Sequence, residues 1–446
     1  MAEPSGHYQV VIVGGGIAGL TLALAFERLG IRYALLEARE SLEPDYGAGA
    51  GVGLQPNGLR ILDQLGLLEE IEQHTLPLET WMSLDANGKL LSTSRTMSLY
   101  RSSIGYSIMF VERRKLLQIL SSHLKGLGSI QTSTYVESIE ETEEHATVLT
   151  STGLSITADV VIGADGVRSR VRNYIDTMVH NNADDYMSAK LAAVYGMSSP
   201  TKGISPGDRF TVYREKATVV GFTGKDGVVF WFVFENLDQP FPLSKCPRYT
   251  ATEADTLCQS VSDVQITPSV KFADLYTNRI VATKIAAEEG VAKTWHTHRT
   301  VIVGDAAHKM TPAGGMGANQ AIESSAALVN EIMKAMTSST NGTPSRETIH
   351  SALARYAEQR FRDSAPAVER SRMICEALFC SDGPAIPRLR QMLNLPDEEM
   401  LSHALKEFTR APILDDLGLS ARGMQYEEMA TSLKEKAKAM AMAMVG

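Results

Sequence analysis

Gly14, Gly16 and Gly19, followed at some distance by Glu37, are the first residues of this chain whose types and spacing suit a chemical task. In the run Gly14-Gly15-Gly16-Ile17-Ala18-Gly19, Gly14 allows a tight turn, Gly16 lets backbone approach a pyrophosphate, and Gly19 lets a helix pack against a strand. A helix that starts here aims unpaired N–H groups and the positive end of its dipole at phosphates. Glu37 stands where an acid accepts hydrogen bonds from ribose hydroxyls. A 2′-phosphate would meet its carboxylate there, so the pattern reads as a site for NAD or FAD rather than NADP.

Such a motif has meaning only between the right elements. The apolar, β-branched run Tyr8 to Val13 predicts a strand, Leu20 to Leu29 a helix, and Tyr33 to Leu36 a second strand ending on Glu37. Strand, glycine turn, helix, strand and acid make a dinucleotide-binding βαβ unit. The next stretch, Tyr46 to Asn57, carries four glycines and reads as a loop lining a cofactor, followed by an amphipathic helix from Asn57. Phe110 to Leu120 predicts a basic helix start, where an arginine such as Arg113 reads, on spacing alone, as a solvated face. Ala158 to Ser169 repeats the opening theme, and a parallel strand returning beside the first would bring Asp165 near the dinucleotide; on pattern alone it is a βα loop.

The middle of the chain changes character. Trp81 to Ser94 alternates around an Asn87-Gly88 turn, and Val212 to Glu235 is rich in β-branched and aromatic residues with no helix between. Such strands predict an antiparallel sheet in a second domain, with Tyr195, Tyr213, Trp231 and Phe232 as candidates to line a pocket. The parallel pattern resumes at Arg299. Thr300 to Asp305 predicts a strand ending in Gly-Asp, and the glycines from Gly314 to Gly317 open a long helix that again offers N–H groups. Asp305 suits a polyol hydroxyl, and His308 reads as a loop histidine packed by the cofactor. From Ser351 to Arg372 the chain is helical and charged, with an interruption at Pro366.

Composition sets the frame. The chain has 446 residues, with 43 basic and 52 acidic side chains and a net charge of −9, which argues against nucleic acid as a partner. Cys246, Cys258, Cys375 and Cys380 are too scattered for a disulfide framework or a zinc site and read as thiols in a reducing compartment. The apolar run Val10 to Ala25 lacks the basic leader of a signal peptide, and no run is long enough to span a membrane.

Three motifs in order, GGGIAG, GADGVRSRVR and VGDAAHKMTPAGGMGANQAIE, resemble the class A FAD-dependent monooxygenases, the para-hydroxybenzoate hydroxylase-like group. The resemblance runs from about Val10 to Arg372. It implies an α/β fold: a Rossmann-like FAD-binding domain, an inserted antiparallel-sheet substrate domain and C-terminal helices. In that pattern Gly14, Gly16 and Gly19 meet the diphosphate and Glu37 the adenosine ribose, while Gly51 and Arg113 line FAD. Asp165 belongs to a motif shared by FAD and NADPH, and Asp305 with Ala318 meets the ribityl chain and the isoalloxazine. The implied division is residues 1–185, with a substrate-domain insert near 75–110, and 284–372 for FAD, 186–283 for the sheet, and 373–446 for the terminal helices.

Within the group, FVERRKLLQIL, AAVYGMS and VVFWFVFEN look like the fungal meroterpenoid and indole-diterpene epoxidases of the paxilline-pathway type. That resemblance implies NADPH as co-substrate, O2, and oxygen transfer through a hydroperoxyflavin to the alkene of an apolar prenylated substrate. Aromatic hydroxylases of similar type often place an arginine where Tyr195 stands, so the substitution favours a neutral substrate, with Tyr195 and Tyr213 as the catalytic candidates. A phenol or indole ring hydroxylase, and a flavoprotein without enzymatic activity, stay open beside it. Members often carry a C-terminal membrane helix. The sequence to Gly446 holds none, which leaves a cytoplasmic protein with room for peripheral membrane association through its tail.

Overall fold

In the computed structural model, which describes residues 6–43, 51–126, 128–338, 344–379 and 393–445, the His7–Val13 strand lies at the heart of a seven-stranded sheet. Val10, Val11 and Ile12 are fully buried, because helices cover both faces of a parallel sheet. Tyr33–Leu36 and Ser155–Gly163 flank this strand in parallel. Ser129–Gln131 extends one side in parallel. On the other side, the first half of Ser155–Gly163 pairs antiparallel with Ala146–Thr150 and its second half parallel with Thr300–Ile302. The ends of the strands starting at His7, Ser155 and Thr300 thus converge where the three predicted motifs begin.

A second sheet of eight strands stands against this unit, in the order His308–Lys309, Arg279–Val291, Met187–Ser198, Val229–Pro242, Ala217–Thr223, Asp208–Val212, Thr80–Leu84, Leu90–Ser94. It is antiparallel except where Asp208–Val212 runs parallel to Thr80–Leu84. The Arg279–Val291 strand continues through position 283 and pairs with Met187–Ser198 from one end to the other, so it belongs to this sheet along its length. One face of the sheet packs Trp231, Phe210, Val212, Val219 and Val233 against the Ala251–Ser260 and Phe272–Thr277 helices. Side chains at Gly196 and Gly221 would overlap the rings of Trp231 and Phe210, so these two positions are empty for packing reasons. The opposite face looks toward the parallel unit. The fold is the expected α/β arrangement, with the Asp397–Phe408 and Ala421–Val445 helices at the C-terminal end.

Two local expectations are corrected. Met109–Glu112 is a strand, paired antiparallel with Gly51–Leu54, and the helix begins only at Arg113. The apolar run that suggested a helix is as well satisfied by pairing in a two-stranded ribbon. The Arg346–Leu378 helix passes through Pro366 without ending. A helix-interior proline costs about 3 kcal/mol; here Ser364, Ala367, Val368 and Ser371 are buried around it, and Ser371 exchanges hydrogen bonds with Thr311. Cys380, the loop from 46 to 50 and most of the polar loop after Ser338 lie outside the described residues. Among the described residues no helix is long and apolar enough to cross a membrane.

Candidate active site

The opening turn is built by close backbone approach. Gly14 has φ of +106°, and a Cβ there would lie 2.5 Å from the Ala164 carbonyl oxygen, so the first turn abuts the turn at Asp165. A Cβ at Gly19 would overlap the Gly14 carbonyl oxygen, which sets the Ile17–Arg28 helix directly on the turn. Gly16 is different. It is extended, heads the helix with no side-chain cap, and its missing Cβ faces open space. Uncapped N–H groups beside that space are what a diphosphate requires.

Glu37 is 6 % exposed, and its carboxylate accepts from the Gly15 amide at 2.7 Å and from the Arg39 amide and Nε at 2.8 and 2.9 Å. Burial pushes its pKa up, but the hydrogen bonds and charge of Arg39 prevail and hold it below the usual range. The acid therefore ties the second strand to the glycine turn. Arg39 was not foreseen; only its place two residues after Glu37 hinted at it.

Arg113, first residue of its helix, faces the same region. Burial and the nearby Arg39 guanidinium draw its pKa down, opposed by Asp305, Tyr195 and Glu37. Residues from four separate segments thus share one electrostatic environment. Asp305 itself is half-buried and paired with Lys309 at 2.6 Å; burial disfavours the Lys309 charge, and Asp305 outweighs it. Asp165 turns its carboxylate to the Arg170–Met178 helix, accepting from the Arg170 and Val171 amides at 2.7 and 3.3 Å. Its Oδ1 is buried without a partner, and burial pushes its pKa up against the Ser169 hydroxyl and those amides. Arg172, fully buried, bonds to the Val167 and Ala306 carbonyls and locks this loop to the one after Thr300–Ile302.

Ala318 lies in the first turn of the Gly317–Thr337 helix, whose N-cap, Met316, offers no side-chain bond. The neighbour Asn319 organises this corner. Fully buried, it accepts from the Gln55 amide at 2.9 Å and donates to the carbonyls of Gly53 and Gly315 at 3.0 and 2.9 Å. No spacing in the sequence pointed to Asn319 or Gln55, because their roles exist only once two distant glycine loops meet. Gly51 is held tightly: a Cβ would run into the Phe110 and Phe230 rings. His308 is not in a loop against the site. It is 1 % exposed on a short strand, bonded through Nε2 to the Ser324 hydroxyl at 2.8 Å and packed on Trp295, and burial with Arg360 nearby drives its pKa down to about 3.

Across from these loops, directly opposed residues form rows on the face of the eight-stranded sheet that looks toward the parallel unit. One runs Trp81, Arg209, Phe222, Phe230, Met197, Val281 and the next Ser83, Thr211, Val220, Phe232, Tyr195, Thr283. Phe110 reaches over from the other unit and stacks on Phe222 at 4.4 Å between ring centroids. Tyr195 packs in this aromatic group, whereas Tyr213 is 4 % exposed and clusters with Ala193, Val220, Phe234 and Leu378. Burial raises the Tyr213 pKa, opposed by Ser83 and Arg209. The two tyrosines belong to separate clusters that meet at Phe222 and Phe232.

The uncapped helix ends, the open space at Gly16 and the buried acid Glu37 beside the glycine turn fit FAD, and they define a flavoprotein of the Rossmann-like class. The chain belongs to the FAD binding domain family, which matches residues 7–360. It is 35 % identical over 381 residues to the FAD-dependent monooxygenase olcE of Penicillium canescens, covering 83 % of this chain and 81 % of that one. It is 36 % identical over 354 residues to penM of Penicillium crustosum, covering 79 % and 75 %, and 33 % over 425 residues to atmM of Aspergillus flavus, covering 93 % and 88 %. Both bear the same name, FAD-dependent monooxygenase, and the chain is a monooxygenase of this kind that binds FAD. Two solved structures share its fold: HpxO of Klebsiella pneumoniae with FAD and uric acid, at 21 % identity and a TM-score of 0.74 over 92 % of this chain and 98 % of that one, and the p-nitrophenol 4-monooxygenase PnpA of Pseudomonas putida, at 19 % and 0.73 over 91 % and 98 %.

Proposed function

We propose that the protein epoxidises the prenyl-chain alkene of an apolar aromatic or indole substrate, with NADPH as the reductant. The observation that carries this reading is the aromatic wall of Phe110, Phe222, Phe230 and Phe232 with Tyr195, which faces the glycine loops across the seam between the two units. Bound FAD supplies the redox chemistry: with two electrons from the nicotinamide, one atom of O2 goes to substrate and the other leaves as water. The chain's own residues do the rest. Gly14, Gly16, Gly19 and the Ile17–Arg28 helix hold the diphosphate, Glu37 the adenosine ribose, and Gly51, Arg113, Asp165, Asp305 and Ala318 line the remainder. In this reading residues 1–185 and 284–372 serve FAD, while 186–283 with the insert near 75–110 serve the substrate.

The aromatic wall orients the alkene and excludes water, so that reducing equivalents go to product rather than peroxide. The Tyr195 hydroxyl holds its proton toward the oxygen being transferred, and Tyr213 lies farther along the same face. An alkene needs no base to ionise it, and apolar walls suit that requirement. Ring hydroxylation of a phenol is the second reading, favoured by one cation on the same face, Arg209. The test is to give the purified holoenzyme, NADPH and air a prenylated aromatic and its unprenylated phenol, and to locate oxygen by mass spectrometry. Oxygen on the prenyl chain, opening to a diol in acid, supports epoxidation; oxygen on the ring supports hydroxylation; peroxide with neither product rejects both substrate classes.

A further inference from the structure

Arg209 occupies an unusual place. Its row partners are Trp81 on one side and Phe222 on the other, and its guanidinium lies over their rings at 4.1 and 5.2 Å. Its Nε is buried with no hydrogen-bond partner, and among the described residues no carboxylate forms an ion pair with it. The side chain is partly buried, with its Nε shielded, and this burial pulls its pKa down to about 10, which still leaves it charged at neutral pH. Aromatic faces stabilise a guanidinium, but they accept no in-plane hydrogen bonds, so the buried Nε donor remains unanswered. An arginine in such a place satisfies its donors when something else supplies the oxygens. Asp208, next in sequence, points away along the strand and accepts from the Ser205 amide. The nearby Tyr213 favours the charged guanidinium.

We propose that Arg209 is a specificity-determining residue that binds an anionic oxygen (carboxylate, enolate or phenolate) on the head group of the substrate, whose apolar chain lies along Phe222, Phe230 and Phe232. This rests on the reading that the sheet face turned toward the parallel unit carries the substrate, and it holds whether oxygen lands on the chain or on the ring. The substrate is therefore amphipathic rather than a plain hydrocarbon. Planar stacking between Trp81 and Phe222 fixes the guanidinium fork, so two oxygens, or one oxygen and a water, can be met edge-on.

The probes are a prenylated hydroxybenzoate and its methyl ether methyl ester, titrated into holoenzyme while the flavin absorbance is followed. Wild type is expected to bind the acid at least tenfold more tightly than the masked form, and Arg209→Gln to lose that preference while keeping its affinity for the masked form. Arg209→Lys is expected to retain part of the preference, because it keeps the charge but not the fork. Flavin content and thermal unfolding of each variant show whether it is folded, and the wild-type comparison stands whatever they show. Equal affinity of wild type for the two forms, binding of neither, or a preference undiminished in folded Arg209→Gln, would overturn the proposal. Product analysis with the masked probe judges the epoxidase reading separately, since its alkene is unchanged.

Discussion

The Gly15 amide donates to the Glu37 carboxylate at 2.7 Å, so the acid that ends the second strand is built into the glycine turn that precedes it. One side chain thus fixes the shape of the glycine turn, and under the proposed function the same side chain meets the adenosine ribose. Because the folded pKa of Glu37 lies below the ordinary carboxylate value of 4.5, its contribution to stability is complete above that value and lost as the pH falls through the folded pKa. Glu37→Gln is therefore expected to lower the unfolding temperature and weaken FAD retention at pH 7, with the difference from wild type shrinking below pH 4.5. Unfolding midpoints measured from pH 3 to 8 decide it; a difference independent of pH would show that charge plays no part.

Gly16 and Gly19 separate binding from packing. Gly16→Ala places its methyl in open space, so the apoprotein should unfold within about 0.5 kcal/mol of wild type while FAD affinity falls. Gly19→Ala drives a methyl into the Gly14 carbonyl and should destabilise by about 1–3 kcal/mol or more even without FAD. Denaturant titration of apoprotein and FAD titration by fluorescence quenching read the two effects. Equal stability losses would refute the distinction.

His308 is expected to stay neutral throughout the working range of the enzyme. Its folded pKa of about 3 lies below the ordinary 6.5, so the unfolded chain binds more protons between these values. Stability is full above pH 6.5 and declines as the pH falls toward 3, with a slope of at most about 1.4 kcal/mol per pH unit from this group. His308→Gln should flatten that slope and leave the pKa values of the pH–rate profile where they were. A shifted activity profile would place His308 in the chemistry after all.

Tyr195 and Tyr213 should separate kinetically. Tyr195→Phe is expected to lower product formation on the order of a hundredfold and to raise peroxide release per NADPH consumed, with FAD content unchanged. Tyr213→Phe, beside Ser83 and Arg209, should act mainly on KM. Steady-state kinetics with peroxide quantification distinguishes them; unchanged coupling in Tyr195→Phe would remove it from the reacting centre.

Much of this molecule was legible in the chain itself. The strand from Tyr8 to Val13, the glycine turn, Glu37 and the later strands that lead into Asp165 and Asp305 are local patterns: burial demands apolar runs, and tight turns demand glycine. Their order alone carried the family and the fold. What chain order cannot express is which residues meet from opposite ends of it. Asn319 joins Gln55 and Gly53 across more than 260 positions, and Arg113 shares its surroundings with Glu37, Tyr195 and Asp305.

The same limit explains the corrections. Met109–Glu112 became a strand because Gly51–Leu54 offered it a pairing edge, and Pro366 stayed inside a helix because its neighbours are buried on Thr311 and the strands nearby. Arg209 reads in sequence as an ordinary strand arginine. Only sheet register sets it between Trp81 and Phe222 with its Nε buried, since side chains on adjacent strands become neighbours through pairing, a non-local choice made by the whole core.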